Sequence, residues 1–373
     1  MLWYVVRRLM LIIPTLLGIM IINFVVIQFA PGGPIEQVLA QLDNPELTGT
    51  SRVTSVGSSE VQDSSSDSRQ VSSGAGGQYR GGEGLEPAYI EKLEARFGLD
   101  KPIHERFFIM MRRYLTFDFG ESFFQGKDVI DLVLEKMPVS ISLGLWTTLL
   151  VYLISIPLGV RKAVRDGSRF DVWTSAVVIV GNAIPAFLFA ILLLIIFSKA
   201  SSVEFLQIFP LGGLTSPEWG SLPWHAKILD YFWHMVLPIS AMVIGGFATL
   251  TFLTKNSFID QINQQYVLTA RAKGLGQRRI LYGHVFRNAM LIVIAGFPSA
   301  FVGILFTGSL LIEFIFNLDG LGLLGFNAVI DRDYPIVFAT LYFFTLLGLV
   351  MNLIGDLTYT FIDPRIDFET RGV

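Results

Sequence analysis

The residues of this chain best spaced to do something together are Tyr266, Ala270 and Lys273, which share one face of a short basic helix ending at Gly274 and Leu275. They lie in Gln264-Gln265-Tyr266-Val267-Leu268-Thr269-Ala270-Arg271-Ala272-Lys273-Gly274-Leu275, which continues to His284, Arg287, Asn288 and Ala289. Aromatic, methyl and ammonium groups at this spacing bind by packing and positive charge; they provide no nucleophile and no base. The pattern predicts a helix from about 261 to 273, a break at Gly274-Leu275-Gly276, and a second helix running into the next apolar run. Two readings stay open from the residues alone: a hairpin that docks to a cytoplasmic partner, or a basic loop held near anionic lipid.

Residues suited to covalent chemistry are scarce. There is no cysteine, which excludes disulfides, thiol catalysis and cysteine metal sites. His104, His225, His234 and His284 are scattered without ligand spacing, so no metal site is expected. No Walker-type phosphate loop, HExxH pair or GxSxG elbow occurs. An intramembrane enzyme would need a nucleophile-base pair or a metal cluster at matched depth, and neither is visible. Glu313 and Asp356 are the ionisable groups nearest the long apolar runs, each close to an end, where the cost of a charge is lower. Asp356, near Arg365, is expected to anchor or pack; the competing reading is a proton relay.

The elements that must position these residues are apolar helices. Hydrophobic residues make up 52% of the chain, charged residues 16%, and the mean hydropathy is +0.56, with the apolar residues gathered in long blocks. Six segments have the length of about 20 residues needed to cross a hydrocarbon core: 9–30, 139–160, 173–197, 235–254, 289–313 and 336–359. The first is too long for the apolar region of a signal peptide and is expected to stay as an anchor. Arg7 and Arg8 precede it; Arg161, Lys162, Arg165 and Arg169 separate the second and third; Arg271, Lys273, Arg278, Arg279 and Arg287 separate the fourth and fifth. Segments 199–234 and 314–335 carry few cations against several acids, so the positive-inside rule predicts that both termini are cytoplasmic.

Residues 31–138 then form an extracytoplasmic insertion between the first two spans. About 46–86 is rich in Ser, Gly and Asp and is expected to be flexible, because it cannot bury enough apolar surface to offset the entropy of ordering. Residues 87–138 are expected to be helical: Ile90, Leu93 and Phe97 share one face, Ile103, Phe107, Met110, Met111 and Tyr114 another, and a third helix carries Val129, Leu132 and Val133 and ends at Pro138. These helices are expected to lie along the outer membrane surface or cover the outer mouth of the bundle; the alternative is a small subdomain packed on itself.

Inside the spans the pattern concerns packing and bending. Ala295, Ser299, Gly303 and Thr307 recur every fourth residue and form a stripe of small side chains where another helix can approach. Pro185, Pro238 and Pro298 each remove a backbone donor and predict kinks, which serve either a solute path or core packing.

The basic loop, together with His284-Val285-Phe286-Arg287-Asn288-Ala289, resembles the signature cytoplasmic loop of the dipeptide, oligopeptide and nickel branch of binding-protein-dependent ABC transporter permeases. Further matches are Ala30-Pro31-Gly32-Gly33-Pro34, Phe119-Gly120-Glu121-Ser122, Ile156-Pro157-Leu158-Gly159-Val160, Asn317-Leu318-Asp319-Gly320-Leu321-Gly322, Arg332-Asp333-Tyr334-Pro335 and Asp363-Pro364-Arg365. Within that branch, Lys101 to Arg106, Gly167 to Trp173 and Leu253 to Phe258 are similar to the permeases of microcin C and peptide uptake.

The resemblance implies an all-α polytopic membrane protein with six transmembrane helices of the type I ABC importer class. The permease domain would cover 139–362, its coupling loop about 256–288, with a cytoplasmic tail from 363 to 373. It implies a second homologous permease, two cytoplasmic ATPase domains that use ATP and Mg, an extracytoplasmic peptide-binding protein and membrane lipid as partners, with no cofactor held by this chain and no nucleic acid. Tyr266, Thr269, Ala270, Arg271, Ala272, Lys273, Gly274 and Leu275 would couple to an ATPase. The acidic residue that other ABC importers carry near the start of this loop is replaced here by the region of Leu268 and Thr269, so coupling would rest on packing and cations. Ala295, Ser299, Gly303 and Thr307 would form a permease packing interface, and Phe316, Asn317, Asp319, Gly320, Leu321 and Gly322 an outer loop facing the binding protein or the incoming peptide. The alternative, a proton-coupled secondary peptide transporter, would need ionisable groups near mid-membrane and an internal repeat, and the sequence has neither.

Overall fold

The computed structural model describes residues 2–29, 33–35, 38, 91, 92, 94, 99–199, 204–298, 300, 303 and 310–362. The Ser/Gly-rich stretch 46–86, the face of Ile90, Leu93 and Phe97, and the tail 363–373 with Asp363-Pro364-Arg365 lie outside the described residues. The described chain is helical: α1 (Leu2–Phe29), α2 (Ile103–Tyr114), α3 (Val129–Val164), α4 (Arg169–Ala183), α5 (Ala186–Phe197), α6 (Trp224–Ile262), α7 (Gln265–Ala272), α8 (Gln277–Ile280), a π turn (Leu281–Val285), α9 (Phe286–Ala295), α10 (Leu310–Ile315), α11 (Leu321–Asp331) and α12 (Tyr334–Ile362). Two compact units divide it, one of residues 1–12, 136–323 and 344–373, the other of 13–135 and 324–343.

Val5–Phe29, Val129–Val164, Trp224–Ile262 and Tyr334–Thr358 are each long and apolar enough to cross a membrane, and α4 with α5 qualifies only as a pair bent by 91°. Of the expected span 289–313, only α9, α10 and a few residues between them are described, so the count of six is not reached among the described residues.

The prolines act unequally. At Pro185 the chain breaks, because the ring disfavours helical backbone at Ile184, which is extended at φ −84° and ψ 119°. Pro238 sits inside the uninterrupted α6. Pro138 corrects the expected helix end: α3 passes through it, so the last outer helix and the second span are one 36-residue helix. The carbonyl freed by Pro138 belongs to Leu134, on an exposed turn where solvent can satisfy it.

In the larger unit, α4, α5 and α9 pack on α6, and α3 meets it near Ser155 and Gly159. Gly159 is the point of closest approach: a Cβ there would lie 2.6 Å from the Thr254 Cβ and 2.8 Å from the Thr251 carbonyl oxygen, so only glycine lets α3 and α6 meet. Ser155 donates to the Phe247 carbonyl at 3.0 Å, and Ser257 to the Ala289 carbonyl at 2.7 Å, closing these contacts with hydrogen bonds.

In the smaller unit α2 is fixed by rings. Phe107 packs against Phe24 at 5.2 Å, and Tyr114 lies between Phe119 at 4.7 Å and Tyr342 at 5.6 Å. Of the apolar face read from the sequence, Ile103 remains 54% exposed. Two motifs far apart in sequence meet here: the Ser122 hydroxyl donates to Asp333 Oδ2 at 2.5 Å, and the Phe123 N–H to Oδ1 at 3.2 Å. Burial pushes the Asp333 carboxyl above the ordinary carboxylate value, while those two donors pull it down.

A raised folded-state value means that the native protein holds the proton more tightly than the unfolded chain. This contribution to stability is therefore present below the ordinary carboxylate value and is lost as pH rises through the folded one. We expect Asp333→Asn to remove that slope, so that the melting-temperature difference between wild type and variant narrows with rising pH over the acidic range. Parallel melting curves across pH would contradict it.

Candidate functional site

The strongest electrostatic feature is a buried clamp around Asp171. Ser168 caps α4, its hydroxyl accepting the Asp171 N–H at 3.3 Å, and Gly167 at φ +70° makes the turn that sets up this cap. Asp171 in the first turn also sits favourably at the positive end of the α4 dipole. Lys162 from α3 is wholly buried, and its ammonium donates to the Asp171 carbonyl at 2.9 Å, Thr174 Oγ1 at 2.8 Å and Ser175 Oγ at 2.7 Å. Asp171 Oδ1 stands 3.0 Å from the same nitrogen, an ion contact without hydrogen-bond alignment. Lys255 from α6 reaches Asp171 Oδ2 at 2.7 Å and the exposed Asp166 at 2.8 Å. Three helices are thereby tied at one carboxylate. Sequence reading took Lys162 as one topogenic cation among several and assigned Asp171 and Lys255 no role; a lysine directly after the apolar run 235–254 was the available signal.

Past this clamp, α6 leads into the basic loop. The helix expected over 261–273 is divided at Asn263 and Gln264, and its second part, α7, ends as predicted at Gly274. The Gly274 N–H bonds the Arg271 carbonyl at 2.9 Å, the Leu275 N–H bonds the Ala270 carbonyl at 3.2 Å, and Gly274 has φ +80°, together a Schellman motif. The face of Tyr266, Ala270 and Lys273 is divided between core and surface. Val267 and Ala270 are buried in a core with Phe258, Ile280, Val285 and Ala289, while Tyr266 packs against that core and donates to Gln261 Oε1 at 3.0 Å. Apolar groups this close to α6 and α9 gain more from the chain's own core than from solvent. The outward face is Leu268, 59% exposed, with Thr269, Arg271, Ala272 and Lys273.

The outer loop is a packed turn. Phe316, Leu318, Gly320 and Leu321 are buried, Gly322 is half-buried, and Asn317, at φ +47°, and Asp319 point outward. Its centre is Glu313, fully buried, which accepts from Ser140 at 3.2 Å and from the Leu323 N–H at 2.7 Å. Gly320 packs directly on it: a Cβ there would stand 2.5 Å from the Glu313 carboxyl, which would have to shift. Lys136 pairs with Asp319 at 2.5 Å.

Of the small-residue stripe, Ser299 and Thr307 lie outside the described residues. Near Ala295 the close neighbour is the chain's own α12: a Cβ on Gly355 would meet Pro298 at 3.3 Å and the Ala295 carbonyl at 3.9 Å. Asp356 is paired with Arg8 at 2.8 Å, tying the first and last helices; its expected neighbour Arg365 lies outside the described residues.

Two outcomes follow. Asp171→Ala strands the buried Lys162 charge and is expected to cost about 3–5 kcal/mol, whereas Asp166→Ala, an exposed partner, costs about 0–1 kcal/mol; thermal unfolding in detergent checks the contrast. Gly274→Val is expected to loosen α7 even though open space surrounds Gly274, because a β-branched residue resists positive φ at a cost of about 1–3 kcal/mol. Hydrogen exchange over 265–272 should accelerate more in Gly274→Val than in Gly274→Asn.

Residues 155–368, which hold the clamp and the basic loop, match the family model described as binding-protein-dependent transport system inner membrane component. The chain is 58% identical to the peptidoglycan transport system permease protein YejB of Agrobacterium fabrum, and 55% identical to the inner membrane ABC transporter permease protein YejB of Escherichia coli O157:H7, each over 99% of both chains. It is 32% identical to the oligopeptide transport system permease protein AppB of Bacillus subtilis, over 98% of this chain and 99% of that one. With a family match over more than half its length, and relatives aligned from end to end, this chain belongs to the binding-protein-dependent inner membrane components, the permease subunits of ABC importers.

Proposed function

We propose that this chain is the non-catalytic, membrane-spanning subunit of an ATP-driven importer of peptides, including microcin C-like peptides, with six spans of the type I importer class and both termini in the cytoplasm. A second, homologous permease completes the solute path. Two cytoplasmic ATPase domains supply the work with ATP and Mg, and an extracytoplasmic binding protein delivers the cargo. The relative named for oligopeptide transport supports a peptide cargo, and the relative named for peptidoglycan transport supports one that carries peptide.

One observation carries the reading: α7 is pinned to the core by Val267 and Ala270 and capped at Gly274, while Leu268, Thr269, Arg271 and Lys273 face outward. A rigid, basic helix with its own packing complete is suited to fit a cleft on an ATPase and to pass that domain's movement to α6 and α9. Tyr266 and Ala270 then position the helix, and the cations and Leu268 make the contact. On the other side, Asn317 and Asp319 are the outward groups of the turn we assign to the binding protein or its peptide.

The test is ATP-dependent uptake of labelled peptides by vesicles holding the complete assembly. Arg271→Glu combined with Lys273→Glu is expected to leave insertion and ATP hydrolysis in place, and to lower peptide taken up per ATP by roughly tenfold, the equivalent of about 1.4 kcal/mol of coupling. Uptake unchanged in this variant would remove α7 from the coupling path. Uphill transport by the isolated subunit in a proton gradient would overturn the whole reading.

A further inference from the structure

One apolar groove beside the Asp171 clamp takes no part in coupling or in the outer turn. It has a volume of about 180 Å3 and is lined by Leu158, Trp173, Thr174, Val177, Val178 and Phe247, from α3, α4 and α6. The single polar side chain among these has its hydroxyl engaged: Thr174 Oγ1 takes a hydrogen bond from Lys162 and gives one to the Phe170 carbonyl at 2.7 Å. What remains is hydrocarbon wall, with Trp173 73% exposed at its mouth.

The charge around this groove is unbalanced. On α4, Arg169, Trp173 and Val177 follow one another at intervals of one turn; on α3, Leu158 is followed one turn on by Arg161, and Arg165 lies in the turn that joins the two helices. All three arginines are exposed. The carboxylates of the elbow, Asp166 and Asp171, are both engaged by lysines, and no carboxylate lies within ion-pair distance of Arg161, Arg165 or Arg169 among the described residues. Arg161 rests over the Phe170 ring at 4.8 Å, which steadies the guanidinium without neutralising it. A hydrocarbon slot, an exposed tryptophan and three guanidinium groups without a carboxylate partner, all on the one α3–α4 elbow, match a molecule with an acyl chain at one end and an anion at the other.

We infer that this groove is a binding site for an anionic phospholipid of the cytoplasmic leaflet, one acyl chain lying along Leu158, Val177 and Phe247 and the phosphate held among Arg161, Arg165 and Arg169. The site rests on the membrane placement and orientation proposed above, and is independent of the cargo and of the coupling contact. The bound lipid caps the elbow that holds the clamp, so the headgroup charge bears on the same turn that positions Asp171.

The experiment uses the assembled transporter in nanodiscs and reads the Trp173 fluorescence, taken as the difference between wild type and Trp173→Phe, as brominated lipid is added. Brominated phosphatidylglycerol is expected to quench this signal at lower mole fraction than brominated phosphatidylcholine. Arg165→Gln and Arg169→Gln are each expected to reduce that preference by about fivefold, as for one cation beside an anionic surface, and raised salt should reduce it in wild type. Val177→Phe, which keeps every charge and fills the groove, is expected to weaken quenching by both lipids alike, and it serves if an arginine variant does not assemble. Equal quenching by the two headgroups overturns the site, as does no quenching by either, which would mean that another polypeptide covers the groove. Absence of peptide uptake by the unaltered assembly, with the lipid preference present, counts against the transport reading and leaves this one standing.

Discussion

The larger unit depends on the desolvation of a single carboxylate. Asp171 is 5% exposed and Lys162 is fully buried, so each would be costly to bury alone; together, with Lys255 and the hydroxyls of Thr174 and Ser175, they satisfy one another. Removing water from this cluster has a geometric result. Three helices that could otherwise slide in an apolar medium are held in one register by directional contacts. Gly159 serves the same end without charge, letting the α3 and α6 backbones approach where a methyl group could not fit.

That fixed register gives the basic loop its character. α6 passes through the clamp and then delivers the chain to α7, whose inner face completes a core and whose outer face is left to cations. A loop of the same composition without Val267 and Ala270 buried would be a charged tether. Held as it is, it is an extension of the helical framework. The outer turn follows the same logic: a buried acid, Glu313, is paired by Ser140 and a backbone N–H, and Gly320 packs directly against it.

How much of this was legible in the sequence depended on whether a neighbour was needed. The apolar runs, the stop at Gly274 and the break at Pro185 were legible because length, φ preference and the missing proline donor are local properties. The inward turn of Tyr266 and Ala270 was not, because a short helix with small and aromatic residues on one face reads alike whether that face meets its own core or a partner. Pro138 misled for a related reason: a proline signals a helix end only where the freed carbonyl has no other recourse. The roles of Lys162, Asp171 and Lys255 arise from three helices converging, and no spacing along one chain records that. The pairing of Ser122 with Asp333, 211 positions apart, is of the same kind.

The π turn at Leu281–Val285 has a consequence for how this chain is read and altered. A π turn takes in one residue more than an α turn, so the helix beyond it is out of step with the helix before it by one residue's rotation, about 100°. The arginines at 278 and 279 and the apolar side chains after 286 therefore obey two different helical phases. A periodicity drawn as one continuous stripe across this junction assigns the wrong side to everything on one half of it. Deleting a single residue there would bring the two halves into phase and swing the basic half around the axis, redirecting its charge without changing its composition.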